Sequence, residues 1–210
     1  MILLLLTTVL WAFSFSLIGV YLAGQVDGWF AVLVRVALAA LVFLPFLRFR
    51  GVQVKQALLY MALGACKLGV MYLFYYQSFL YLSVPEVLLF TIMTPIYVTL
   101  IYDLMQGNRL RWGYLFSALL AVFGALIIRY NPLSPQFLLG FGLIQGANIC
   151  FAIGQVGYKR LMEISPMPQR NAFSWFYLGA LCIALPAWLI FGHHQMMPTT
   201  SLQWGILIWL

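Results

Sequence analysis

The chain has 210 residues, 65% of them hydrophobic and only 7% charged. A soluble domain is roughly half apolar and a quarter charged, so this composition excludes a soluble globule and describes an integral membrane protein. The formal charge of +7, from 11 Lys+Arg against 4 Asp+Glu, would point to nucleic acid if the basic residues shared one face. They fall instead in short gaps between apolar runs, which argues against that reading.

Apolar runs occupy residues 2–22, 30–47, 57–80, 86–105, 112–129, 137–158 and 171–192, and another starts at Leu202. At ~20 residues per span, the expected fold is an all-α membrane protein with seven full transmembrane helices plus the start of an eighth. Met1-Ile2-Leu3-Leu4 lacks the basic region of a secretory leader, so the first run reads as a span rather than a cleaved signal. The gaps carry turn formers: Asp27-Gly28, Arg50-Gly51, Ser83-Val84-Pro85, Gly107-Asn108, Asn131-Pro132 and Ser165-Pro166-Met167-Pro168. The last run, 202–210, is too short to cross ~30 Å of hydrocarbon at about 1.5 Å per residue. The chain is therefore expected to stop in mid-span.

The basic residues alternate between loops. Arg48, Arg50 and Lys55 fall between spans 2 and 3, Arg109 and Arg111 between 4 and 5, and Lys159, Arg160 and Arg170 between 6 and 7. Only Arg129 flanks a loop of the other set, while Arg35 and Lys67 lie inside spans. The positive-inside rule then puts the N-terminus and the three basic loops in the cytoplasm.

A shift of 140 residues lays Trp11-Ala12-Phe13-Ser14 on Phe151-Ala152-Ile153-Gly154, and Leu38-Ala39-Ala40-Leu41 on Leu178-Gly179-Ala180-Leu181. Spans 1 and 2 thus superpose on spans 6 and 7. Helices five spans apart cross the membrane in opposite senses, which is the pattern of an inverted repeat in a secondary transporter. The expected units are 1–130, with five helices, and 137–210, an incomplete second copy.

These residues carry a resemblance. Trp11-Ala12-Phe13-Ser14-Phe15, Arg35 before Ala37-Leu38-Ala39-Ala40, Pro95 within span 4 and the stretch 113–124 of span 5 resemble the first repeat of a drug/metabolite transporter of the EamA type. Phe30-Ala31-Val32-Leu33-Val34-Arg35-Val36, Leu110-Arg111-Trp112-Gly113-Tyr114 and Gly157-Tyr158-Lys159-Arg160-Leu161-Met162-Glu163 are similar to the carboxylate/amino acid/amine branch, in particular to enterobacterial biotin permeases. The resemblance implies ten helices in two inverted five-helix repeats, both termini cytoplasmic, and uptake of biotin or a related anionic metabolite across the bacterial inner membrane. It calls for no cofactor and leaves a homodimer open. The alternatives are an exporter of amino acids or small amphipathic metabolites, and an inactive truncated fragment. Enzyme chemistry is not expected, because both histidines lie in a loop and the four acids are scattered.

Ionisable groups inside a bilayer are costly and mark candidate sites. Arg35, roughly 8 Å into span 2 by helix rise, either grips a substrate carboxylate bidentately or serves structurally, snorkelling outward or pairing with Glu86. Glu86 is the candidate for a coupling proton. Lys67 lies near the midplane, too deep to snorkel, where it would face protein or water and attract a carboxylate. Asp103 is expected to be a solvated end charge near Arg109 and Arg111.

Uncharged polar residues form a second pattern. Gln145, Asn148 and Gln155 fall within about 80° of one another on span 6, and Thr7, Trp11 and Ser14 share one face of span 1. The first helices of two inverted repeats are expected to meet at the substrate site. Amides and hydroxyls there suit a ureido group, with Trp11 packing on its ring; the alternative is interhelical hydrogen-bond glue. Pro95 removes the amide that would bond the Thr91 carbonyl, so span 4 should kink, with Thr91 and Thr94 either lining the cavity or repairing the kink. Within the aromatic run Tyr72-Leu73-Phe74-Tyr75-Tyr76, only part can face a cavity. Ser117, Ala121 and Ala125 suggest a close packing face, and Cys66, Cys150 and Cys182 read as packing residues. His193-His194 with Met196-Met197 read as a plain loop, so no metal site is expected.

Overall fold

In hydrocarbon every backbone amide must find its partner within the chain, so apolar runs of this length have to be helical. A computed structural model describes residues 2–106, 112, 113, 116, 119, 120, 123 and 135–210, and all regular structure among them is helical. The first span is α1 (Ile2–Leu17), continued by a π-helical turn over Ile18–Leu22. Span 2 is α2 (Gly28–Phe43), closed by a 3₁₀ turn over Leu44–Phe46. Span 3 comprises α3 (Val54–Gly64), a π-helical turn over Ala65–Val70 and α4 (Met71–Ser78). Span 4 is broken into α5 (Val84–Thr91) and α6 (Thr94–Gln106). Then follow α7 (Pro135–Ile164), α8 (Gln169–Phe191) and α9 (Ser201–Trp209).

Six helical segments among the described residues are long and apolar enough to cross a membrane. They correspond to expected spans 1–4, 6 and 7. The expected fifth span, with Ser117, Ala121 and Ala125, lies outside the described residues apart from isolated positions, as do Arg109, Arg111 and Arg129.

Helix starts follow local chemistry. The Asp27 carboxylate accepts from the amides of Trp29 and Phe30 at 3.3 and 3.2 Å, opening α2. Thr200 and Gln203 cap α9 reciprocally: Gln203 N donates to Thr200 Oγ1 at 3.2 Å, and Thr200 N to Gln203 Oε1 at 3.3 Å. α7 runs past the expected end of its apolar run at 158, because Lys159, Arg160, Leu161, Met162 and Glu163 are good helix formers. Arg160 and Glu163 also pair across one turn at 3.6 Å. Lys159 and Arg160 therefore stand on the end of a helix rather than in a loop.

α8 is the hub, packing against α2, α3 and the π turn of span 3, while α7 packs against α4, α5 and α6. Where α3 meets α8 the backbones touch. A Cβ on Gly64 would overlap the Phe176 carbonyl, and one on Gly179 would overlap the Met61 carbonyl. At one end of the bundle Tyr60 Oη and Gln56 Nε2 both donate to the Ser165 carbonyl, at 3.1 and 3.0 Å, pinning the α7–α8 turn to span 3. At the other end, Asp27 N donates to Met196 O at 2.8 Å, joining the 1–2 and 7–8 loops. Replacing Gly179 by Ala should overpack this contact and lower stability in detergent by about 1–3 kcal/mol, read as a reduced thermal midpoint. Gly142→Ala, whose Cβ would meet nothing, should not lower the midpoint.

Candidate functional site

Two polar clusters lie along α7, the first buried and the second opening outward at the exposed Gln155. The first sits at the break in span 4. Pro95 has no amide to donate, and the chain turns at Ile92–Met93, with Met93 N reaching Phe90 O at 3.3 Å. Asn148 Nδ2 donates to the same Phe90 carbonyl at 2.9 Å, and its Oδ1 accepts from Thr94 Oγ1 at 3.1 Å. Asn148 Nδ2 also approaches Gln145 Oε1 at 3.3 Å, and Tyr97 Oη donates to that oxygen at 3.0 Å. Asn148 and Gln145 are 4% and 9% exposed; Thr94 and Tyr97 are half-buried and form the outer rim. Gln145 Nε2 is buried and has no partner.

The second cluster centres on Lys67, in the π-helical turn of span 3. Its ammonium donates to Gln155 Oε1 and lies 5.3 Å from the centroid of the Phe151 ring. Gly154 makes room: a Cβ there would overlap the lysine stem. Next to it Cys66 Sγ donates to the Cys150 carbonyl at 3.7 Å. Asn148 and Gln155 are seven residues apart on nearly the same face of α7, about 10.5 Å by helix rise.

Of the residues singled out from sequence, the structure thus joins Thr94, Gln145 and Asn148, and separately Lys67 and Gln155. Tyr97 completes the first cluster and was missed. Its signal was available, one helical turn after Thr94 on the same face of α6. Thr91 instead donates to its own helix, Oγ1 to Leu88 O at 2.6 Å. Arg35 is placed elsewhere. Its guanidinium lies 4.5 Å from the Tyr72 ring centroid, in a cavity of about 330 Å³ that also involves Tyr177 and Leu207. Among the described residues it does not pair with Glu86.

Glu86 accepts from Ser83 N at 2.8 Å, closing a capping box at the start of α5. Ser14 Oγ donates to Leu10 O at 3.0 Å, and Trp11 is 61% exposed. α1 packs on α5, and among the described residues the hydrogen bond of Ser14 stays within α1. Asp103 is buried, at 1% exposure, not solvated as expected. His193 Nδ1 lies 4.0 Å from Asp27 Oδ1, and His194 packs edge-on against Trp188.

The model of the EamA-like transporter family matches residues 1–130. The chain belongs to that family. Among its curated relatives in this transporter family is the biotin transporter of Escherichia coli (strain K12), 63% identical over 210 residues, covering 100% of this chain and 70% of the relative. The biotin transporter of Salmonella typhimurium (strain LT2) is 62% identical over the same shares. A probable biotin transporter of Pseudomonas aeruginosa is 54% identical over 99% of this chain and 73% of its own length. A solved crystal structure shares the fold, with a TM-score of 0.67 over 96% of this chain and 70% of the other at 17% identity. A transporter family member with six long apolar helices among its described residues is a multi-pass membrane protein.

Replacing Asn148 by Leu removes the side-chain donor to the buried Phe90 carbonyl and the acceptor of the Thr94 hydroxyl. The expected loss is about 1–3 kcal/mol, measured as thermal stability in detergent. Thr94→Val, at the half-exposed rim, should cost less.

Proposed function

We propose that this protein is a secondary transporter that takes up biotin across the bacterial inner membrane by alternating access, with its N-terminus in the cytoplasm. The observation that carries the reading is Lys67. It is a cation within a membrane-spanning segment, and its described partners are neutral, an amide oxygen and an aromatic ring. Such a site keeps a net positive charge and attracts an anion. Two helical turns along α7, the amide and hydroxyl groups of Gln145, Asn148 and Thr94 suit a ureido ring. The interval of about 10.5 Å leaves room for a chain of several methylenes between ring and carboxylate. The relatives named biotin transporters support the substrate.

Arg35, in its own cavity, is a second cationic position on the same route. Trp11 and Ser14 complete the site only in a state where α1 closes on α7, as gating of a helix around a fixed site would require.

The architecture behind this reading is a ten-helix fold of two inverted repeats, in which 1–130 is the first and 137–210 part of the second. Exchanging span 2 with 7 and span 3 with 8 turns the α3–α8 contact into the α2–α9 contact, and both are present. That correspondence supports the internal symmetry.

Cells that lack other biotin uptake and express the full-length protein should accumulate labelled biotin saturably. No saturable accumulation would overturn the assignment. Lys67→Met should weaken apparent affinity about 10- to 100-fold, the value of a lost charge-assisted bond of about 1.5–3 kcal/mol. Competition by biotinamide, uncharged at that end, should not change.

Glu86 is the proposed coupling group. Glu86→Gln keeps the acceptor that caps α5 but cannot titrate, so it should preserve folding while flattening the pH dependence of uptake. An unchanged pH profile would remove Glu86 from the coupling step.

A further inference from the structure

The orientation of the Gln145 amide is not free, and the reason lies two residues removed from it. The Phe90 carbonyl can only accept a hydrogen bond. The Asn148 atom 2.9 Å from it must therefore be the amide nitrogen. That nitrogen is also 3.3 Å from a side-chain atom of Gln145, which must then be the oxygen. Tyr97 Oη, 3.0 Å from the same oxygen, has to donate as well. Both acceptor positions of Gln145 Oε1 are thus occupied. Both hydrogens of Asn148 Nδ2 are spent, on Phe90 O and Gln145 Oε1, and its oxygen takes the Thr94 hydroxyl. The network closes on itself except at one atom: Gln145 Nε2, buried and with no acceptor.

A buried donor left over by an otherwise satisfied network is costly unless something supplies an acceptor. We infer that Gln145 Nε2 is the donor that receives the carbonyl oxygen of the substrate's cyclic urea. Asn148 and Tyr97 act as positioning residues, holding the amide so that its N–H₂ rather than its oxygen is presented. The site therefore selects a ring with an acceptor at that position and rejects an otherwise similar ring carrying a donor there. This rests on the biotin reading above and specifies which atom does the reading.

The test is competition against labelled biotin uptake by the full-length protein. Desthiobiotin keeps the cyclic urea but lacks the sulfur ring; 2-iminobiotin replaces the urea by a cyclic guanidine, placing an N–H donor where the oxygen was. Wild-type protein should be inhibited by desthiobiotin on the order of tenfold or more better than by 2-iminobiotin, because a donor would face an unpaired donor. Gln145→Glu presents an acceptor and should invert the preference. Tyr97→Phe, which releases one of the two bonds to Oε1, should narrow the ratio severalfold, whatever its effect on the absolute rate of uptake. A merely structural role for Tyr97 would lower uptake without moving that ratio.

Equal inhibition of the wild type by the two analogues overturns the inference while leaving biotin transport standing, as does a ratio unmoved in both variants. If Gln145→Glu fails to reach the membrane, the wild-type and Tyr97→Phe ratios decide. Absence of biotin uptake by the wild type is a different result, and it removes the functional reading itself.

Discussion

A bilayer offers no water to a broken helix, and the consequences of that rule organise the interior of this protein. Where Pro95 interrupts span 4, the Phe90 carbonyl, which Met93 N reaches at 3.3 Å, is open to a second donor from elsewhere in the chain. Asn148 on α7 supplies it. This single bond docks α7 on the break, orients the Asn148 amide, and through it settles the hydrogen-bond direction of Gln145 and Tyr97. A helix defect and a polar site are here the same object. Meeting the break places two buried amides on α7.

The lysine cluster follows a related logic. A π-helical turn at Ala65–Val70 widens span 3 where Lys67 leaves the backbone, and Gly154 on α7 removes the side chain that would block it. A cation at this depth is tolerated because an amide oxygen and a ring face solvate it. Neither neutralises it. The positive charge that remains is what the proposed carboxylate substrate would complete, whereas a local Asp or Glu would have extinguished it.

Much of the helical layout was legible because apolar runs and turn residues alternate so plainly; the end of α7 was not, since Lys159 to Glu163 look like a loop by charge yet favour helix by propensity. The polar stripe on α7 was visible from residue spacing, and so was the weakness at Pro95. What spacing could not reveal is which partner each polar group meets. Thr91 and Thr94 look equivalent in sequence, but one bonds back into its own helix and the other reaches across to Asn148. The capping role of Glu86 was written in Ser83-Val84-Pro85-Glu86 as a Ser followed three residues later by Glu, and a search for intramembrane charge passed over it. Trp11 shares a face with Ser14 on α1, yet a shared face does not say which neighbour covers it.

The backbone contact between α3 and α8 has a mechanical meaning. Helices separated by interleaved side chains can slide by rotamer changes, but helices touching carbonyl to glycine at Gly64 and Gly179 have no such slack. Spans 3 and 7 should travel as one stiff plate, with the compliance of the molecule displaced to the hinge at Ile92–Met93. If so, motions that admit and release cargo would be concentrated in span 4 and whatever leans on it, and the lysine would ride on the part that stays still.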